Sequence, residues 1–346
     1  MPRLYKNGAR ATETPPIAVE RRGASGHPAL PQHHYQLYGL KLASQLELPE
    51  LAPSADLPPA DIEIRTTTVP ATLPNATISQ SWMQLSSDTC DLHVDAVARL
   101  RVEHGRSILV DRRMAALPSS PCTAAIPGDV RLFILGSAMG ALIHQRGWLP
   151  LHLSALNTPG GVWGFTGPSG AGKSTLAAWL HYHHEWPLIS DDVAVVRPGE
   201  AQAYLYPGPP RLKLWDDALE ALGISTQGLA RDLSRIRKYQ LVRHQGFQAK
   251  ALPMKGLVLL SCAEDDEPAT LEPIHGIAAF QAVLATLYRP ELVPLPEASE
   301  RLFRDASQLA SRLRIYRFRR PKALDKMALH LRPLIEQIRR DADDAA

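Results

Sequence analysis

The sequence predicts a mixed α/β fold with a small β-rich domain in front of it, and three observations carry that expectation. A glycine-rich loop, Gly167-Pro-Ser-Gly-Ala-Gly-Lys-Ser-Thr175, stands between an apolar run and a helical pattern. Apolar runs at 186–196 and 256–261 alternate with helical periodicity, the pattern of a sheet layered with helices. Ahead of these, 35–126 holds short alternating or β-branched runs separated by loops containing Pro and Asp.

Taken in chain order, residues 1–34 are rich in Pro, Gly, Arg and Ala and show no periodicity. Ordering them would cost entropy without burial in return, so a disordered arm is expected. In the β-rich domain, 35–126, the strand candidates are Tyr38-Gly-Leu-Lys-Leu42, Ile62-Glu-Ile-Arg-Thr66, Leu92-His-Val-Asp-Ala96 and Ser107-Ile-Leu-Val110. From Pro127 to Arg146, Val130, Phe133, Ile134, Ala138, Ala141 and Leu142 recur at helical spacing, with Gly147 as a stop, and open a second domain, 127–340. Leu149-Pro-Leu-His-Leu-Ser-Ala-Leu156 reads as one strand and Thr158-Pro-Gly-Gly161 as a turn. Val162-Trp-Gly-Phe-Thr166 is then a buried strand running into the glycine loop, with a helix starting at Lys173. Trp186–Val196 is a strand interrupted by two acids, and Gly256–Ser261 is a further buried strand. A helical region from about Ile274 and one more strand at Leu313-Arg-Ile-Tyr-Arg-Phe-Arg319 complete the domain.

The composition narrows the function classes. In 346 residues, 38 basic side chains against 35 acidic ones leave a net charge of +3, too small a field to favour duplex nucleic acid or an anionic membrane as partner. Cys90, Cys122 and Cys262 lie far apart without a C-x-x-C spacing, which fits a reduced, cytoplasmic protein. Neither a signal-peptide core nor a run of transmembrane length is expected, and oligomerisation is left open.

The glycine loop fits G-x-x-x-x-G-K-[ST] in full and has the strand before it and helix after it that the motif requires. Its glycines let backbone N–H groups wrap a polyphosphate, and the helix N-terminus favours the negative charge. Gly167, Pro168, Ser169, Gly170, Ala171, Gly172, Lys173, Ser174 and Thr175 are therefore the candidate cradle for ATP. In it Lys173 reaches the outer phosphates, and the Ser174 hydroxyl ligates a magnesium ion. Asp191-Asp192 ends a strand expected at the ligand-binding edge of the sheet. Neighbouring side chains of an extended segment point apart, so one acid suits a magnesium ligand and the other a proton acceptor, while a solvated turn is the plainer alternative. His152, between leucines, is a candidate to orient a catalytic carboxylate or contact phosphate, or else a structural residue. Arg211 and Lys213 share a face of an extended segment and could stabilise a transferring phosphoryl group, with Lys238 and Lys250 as weaker candidates. His181, His183 and His184 late in the helix suit its C-terminal dipole better than a metal.

The combination Leu-His152-x-Ser-Ala, Gly167-x-Ser-Gly-x-Gly-Lys-Ser174 and Ile-Ser-Asp191-Asp192 resembles the catalytic domain of HPr kinase/phosphorylase. The detailed resemblance covers Leu149 to Val196. It implies the C-terminal P-loop fold of that family, nucleotide and magnesium at Lys173 and Ser174, and a general base in one of the paired aspartates supported by His152, with Asp191 favoured as the base and Asp192 as the metal-side acid. Thr175 stands where that enzyme carries Glu, and no Glu-Ile-Arg-Gly stretch follows. A related branch, the HPr-kinase-like proteins encoded with ribosomally made peptides, including the kinases of lasso-peptide precursors, is more similar. It shares Tyr38-Gly-Leu-x-Leu-Ala-Ser44, Leu135-Gly-Ser137, the glycine loop and Pro207-Gly-x-Pro-Arg-Leu-x-Leu-Trp215. Such kinases phosphorylate a serine hydroxyl at the C-terminal end of the precursor.

The resulting expectation is an ATP- and Mg2+-dependent kinase acting on a serine hydroxyl of a peptide or protein, with peptide docking at a sheet edge of the β-rich domain. A small-molecule kinase and a nucleotide-responsive binding or assembly protein without transfer activity are the rival readings.

Overall fold

The computed structural model describes residues 32–55, 59–112, 128–197, 202–232, 237–293 and 296–344. Positions 1–31 of the expected arm and Cys122 lie outside them. His33 and His34, counted with the arm, begin the strand His33–Leu37.

The run Val162-Trp-Gly-Phe-Thr166 forms the strand Gly161–Thr166 inside a nine-stranded sheet. Ser154–Thr158 pairs with it antiparallel, and Leu252–Cys262 pairs with it parallel on the other side. Arg314–Arg320 continues the parallel part of the sheet beyond Leu252–Cys262. Gly161–Thr166 and the middle of Leu252–Cys262 read as apolar runs, as strands covered on both faces do, whereas Arg314–Arg320 alternates arginines with buried Ile315 and Phe318. Helices Lys173–His184 and Met327–Asp343 bury Leu176, Leu180, Leu331 and Ile338 with Trp163, Phe165 and Phe318. In a second cluster, Ala279, Val283 and Leu309, from helices Gly276–Ala285 and Pro296–Arg312, pack with Val162, Leu257 and Ile315.

The single strand expected over 149–156 is instead two, Leu149–Leu151 and Ser154–Thr158. The cause is pairing. The segment runs antiparallel to 188–197, with Leu151 opposite Ala194 and Ala155 opposite Ser190. Between those pairs the ladder opens, leaving His152, Leu153 and Ser154 across from Asp191, Asp192 and Val193. There His152 N–H turns away and donates to Thr286 O at 2.7 Å.

The β-rich portion is an eight-stranded sheet that begins with the hairpin His33–Leu37 and Leu40–Ser44. Tyr38-Gly39, expected inside a strand, forms the turn, with φ of 53° and 71°. Two positive φ angles match the twist of a two-residue hairpin. The turn reaches the opening just described, since Tyr38 donates its phenolic hydrogen to Val193 O at 3.0 Å. The helical stretch expected over 127–146 is present as Gly128–Phe133, a π-helical turn Ile134–Ala138 and Met139–Gln145. Its Ile134, Leu142 and Ile143 share one core with Leu42, Ile64, Leu100 and Val110 of the eight-stranded sheet. Gln32–Ala346 clusters as a single unit. A three-stranded sheet of Arg211–Trp215, Lys238–Val242 and Ala230–Arg231 stands beside the opening. No described helix is long and apolar enough to cross a membrane.

Candidate active site

The glycine loop joins the strand Gly161–Thr166 to the helix Lys173–His184, as its motif requires. Gly167 has φ 147°, and a Cβ there would stand 2.5 Å from Leu260 O, so the loop leaves the strand by a path closed to other residues. Gly172 caps the helix at φ 84° with no side-chain cap, which leaves the first N–H groups open to a ligand. Lys173 Nζ donates to Gly167 O at 2.9 Å and to Pro168 O at 3.2 Å, folding back across its own loop. Ser169, Gly170, Ala171, Gly172, Lys173, Ser174 and Thr175 line a cleft of ≈ 350 Å³. The Ser174 hydroxyl has no protein partner among the described residues.

Asp192 and His152 reach the same cleft from the opened ribbon. Asp192 adopts φ 77°, a left-handed backbone rare outside glycine, and this turns its carboxylate toward the loop. Its Oδ2 accepts from Lys213 Nζ at 2.6 Å, and its Oδ1 stands 3.7 Å from His152 Nδ1. Burial would raise the Asp192 pKa, but the Lys213 ammonium and then His152 hold it well below the usual carboxylate range. Burial would likewise strip Lys213 of its proton, yet Asp192 and Asp232, the latter at 3.2 Å, keep its pKa raised.

Asp191 does not line the cleft. It is 3% exposed, and both oxygens are occupied. Oδ1 accepts from the Ser154 hydroxyl at 2.6 Å and Oδ2 from the Lys213 backbone N–H at 2.8 Å. The alternation expected of the two acids holds, but Asp191 turns inward, so its placement does not suit the general base expected there. Arg211 also departs from its expected role. Buried at 4% exposure, it donates to Gln240 Oε1 at 2.7 Å, inside the three-stranded sheet rather than in the cleft. Lys238 lines the cleft, whereas Lys250 is not among its residues. His181, late in the loop helix, is buried with Nδ1 2.9 Å from Trp186 O.

His152 is paired through Nδ1 with Asp192 O at 2.9 Å. A carbonyl oxygen only accepts, so Nδ1 carries the hydrogen and Nε2 keeps its lone pair. Burial lowers the His152 pKa, and Lys173 adds to this while Asp192 opposes it, so the neutral ring is favoured. Lys173 is shifted down by burial, against the pull of Asp191 and Asp192.

Sequence reasoning passed over Ser154, Asp217, Arg320, Lys322 and Leu324, all of which line the cleft. The alternation of Ser154 with His152 along one segment was the available signal for it. Nothing local marks Arg320, which the parallel pairing of Arg314–Arg320 with Leu252–Cys262 carries to the loop.

No family model matches the chain, and no curated protein matches it. Among solved structures it is similar to the Hpr(Ser) kinase/phosphatase from Coxiella burnetii, at 9% identity with a TM-score of 0.27, over 56% of this chain and 98% of that one.

Proposed function

We propose that this chain is an ATP- and Mg2+-dependent kinase that transfers the γ-phosphoryl group to a serine hydroxyl of a peptide or protein. The C-terminal serine of a lasso-peptide precursor is the acceptor that the sequence resemblance favours. The observation that carries the proposal is the convergence of Lys173, Ser174, Asp192 and His152 on one cleft. Loop amides and Lys173 supply positive charge for a polyphosphate. The open Ser174 hydroxyl and the ionised Asp192 are hard oxygen donors of the kind magnesium prefers, so the residues fit that ion. When bound there, magnesium would neutralise charge on the phosphate oxygens. Lys213, itself fixed by Asp232, orients Asp192. His152 Nε2, with a free lone pair, is suited to accept the serine proton, and Asp191 braces the segment without touching a substrate.

A pure nucleotide-binding module has no need of a carboxylate and a neutral imidazole facing its glycine loop, which favours transfer over simple binding. The test is transfer of labelled γ-phosphate from ATP and GTP to peptides ending in serine, to HPr protein and to a metabolite panel. Labelling of peptides that is lost in Lys173→Ala supports the kinase. Tight nucleotide binding with every acceptor inert would make the chain a nucleotide-responsive binding protein, and turnover of metabolites alone would make it a small-molecule kinase.

A further inference from the structure

Arg320 closes the strand Arg314–Arg320 and is 4% exposed, yet it is among the residues that line the cleft. One Nη stands 3.0 Å from the point a Cβ on Gly172 would occupy, so the group lies against the residue that caps the loop helix. Its other Nη donates to Pro321 O at 2.9 Å, and Nε has no partner. No carboxylate approaches it within ion-pairing distance among the described residues.

Three cations are this deeply buried among the described residues: Arg211, Lys213 and Arg320. Lys213 faces two carboxylates, and Arg211 faces the Gln240 amide oxygen. Arg320 has only the carbonyl of the next residue. An arginine stays charged when buried, and a buried charge without a counter-charge is costly. A chain that accepts this cost beside the uncapped N-terminus of a helix has built a seat for an anion.

We propose that Arg320 is a phosphate-binding residue of the cleft, donating from the strand side to oxygens of the polyphosphate that the loop amides and Lys173 hold from the other. It fills the place that sequence reasoning gave to Arg211. Lys322, two residues on and in the same cleft, adds a second positive charge on that wall. The proposal rests on the reading of the cleft as an ATP site, and the ligand chemistry it names is that of phosphate oxygens, independent of the base.

The test measures binding of Mg·ATP and of inorganic tripolyphosphate by calorimetry to wild type, Lys173→Ala and Arg320→Gln, with thermal unfolding of each protein alone. Arg320→Gln is expected to weaken both ligands on the order of 10- to 100-fold, the loss of charge-assisted hydrogen bonds. The ligand-free variant should unfold at the wild-type temperature or above it, because an unpaired buried charge has been removed. A structural arginine would give the opposite pair of results, lower unfolding temperature with unchanged affinity, and that outcome overturns the proposal. Should Arg320→Gln fail to fold, the Arg320 Nε–H resonance of wild type, assigned with Arg320→Lys, decides the matter. It should shift on adding tripolyphosphate, and a resonance that stays put while the ligand binds rejects the assignment. Wild type that binds neither ligand would remove the ATP reading and this proposal together. Wild-type binding lost in Lys173→Ala but intact in Arg320→Gln would remove the role of Arg320 alone.

Discussion

Ser154 donates its hydroxyl hydrogen to Asp191 Oδ1 across 2.6 Å, and both residues are buried where the ribbon between 149–158 and 188–197 opens. The same carboxylate accepts the Lys213 N–H, so one side chain ties the opened ribbon to the three-stranded sheet. Asp191→Ala leaves two buried donors without an acceptor, at about 1–3 kcal/mol each. Denaturant unfolding should show that loss, with Ser154→Ala costing less because Asp191 keeps its second donor. ATP affinity should change far less than stability. An Asp191→Ala protein of wild-type stability that has lost all transfer would return Asp191 to the chemistry.

Lys213 bridges Asp192 and Asp232, and its removal strands both carboxylates. For a buried pair the cost of losing one partner is about 3–5 kcal/mol, but Asp192 keeps a quarter of its side-chain exposure, so Lys213→Met should fall at about 2–3 kcal/mol. Urea midpoints measure this. The double variant Lys213→Met, Asp192→Asn should recover part of the loss, since one stranded charge is gone. A double variant no more stable than the single one would show that the pair is not coupled in this way.

The glycine loop was legible because everything it needs is local: a strand, three glycines and a helix that follow each other in the chain. The acids at 191 and 192 were legible as a pair. Which of them faces the cleft depends on the φ of 77° at Asp192 and on donors from Ser154 and Lys213, which no spacing encodes. The break at His152 was hidden for a similar reason, because an apolar run reads as one strand until its partner's register interrupts it. Tyr38-Gly39 reads as strand by its neighbours, yet Tyr38 takes a left-handed conformation in a turn held by Val193 O and Pro207 O. Arg320 reaches Gly172 only through the pairing of parallel strands far apart in sequence.

Trp215 is 48% exposed at the rim of the cleft, an unusual place for so large an apolar surface. It follows Lys213 by two residues on the same strand face and pairs with Lys238, so it belongs to the Asp192 side of the cleft. His152, which accepts the serine proton in the proposed reaction, has Nδ1 3.7 Å from Asp192 Oδ1, so the acceptor is expected on that side. Trp215→Ala should raise the acceptor KM by roughly 5- to 30-fold, as loss of an aromatic anchor does, with kcat and the KM for ATP little changed. Steady-state kinetics with each substrate varied in turn would separate the cases. A rise in the KM for ATP instead would make Trp215 a platform for the nucleobase.

His144 lies buried on the helix Met139–Gln145, with Nε2 2.8 Å from Tyr288 O. Burial lowers its pKa from 6.5, more than the opposing pull of the Tyr288 carbonyl and Glu291 restores. The folded chain therefore resists a proton that the unfolded chain accepts. The stability this gives is present in full above pH 6.5 and is lost as pH falls from there toward the depressed folded value. Chemical unfolding from about pH 8 down to about pH 5 should show stability declining once the usual histidine range is entered. His144→Gln keeps a donor for the Tyr288 carbonyl but cannot take up the proton, so its decline should be shallower. His93, His152, His181 and His184, also shifted down by burial, contribute to the part that remains. Parallel curves for the two proteins would show that His144 does not set the acid limit of this fold.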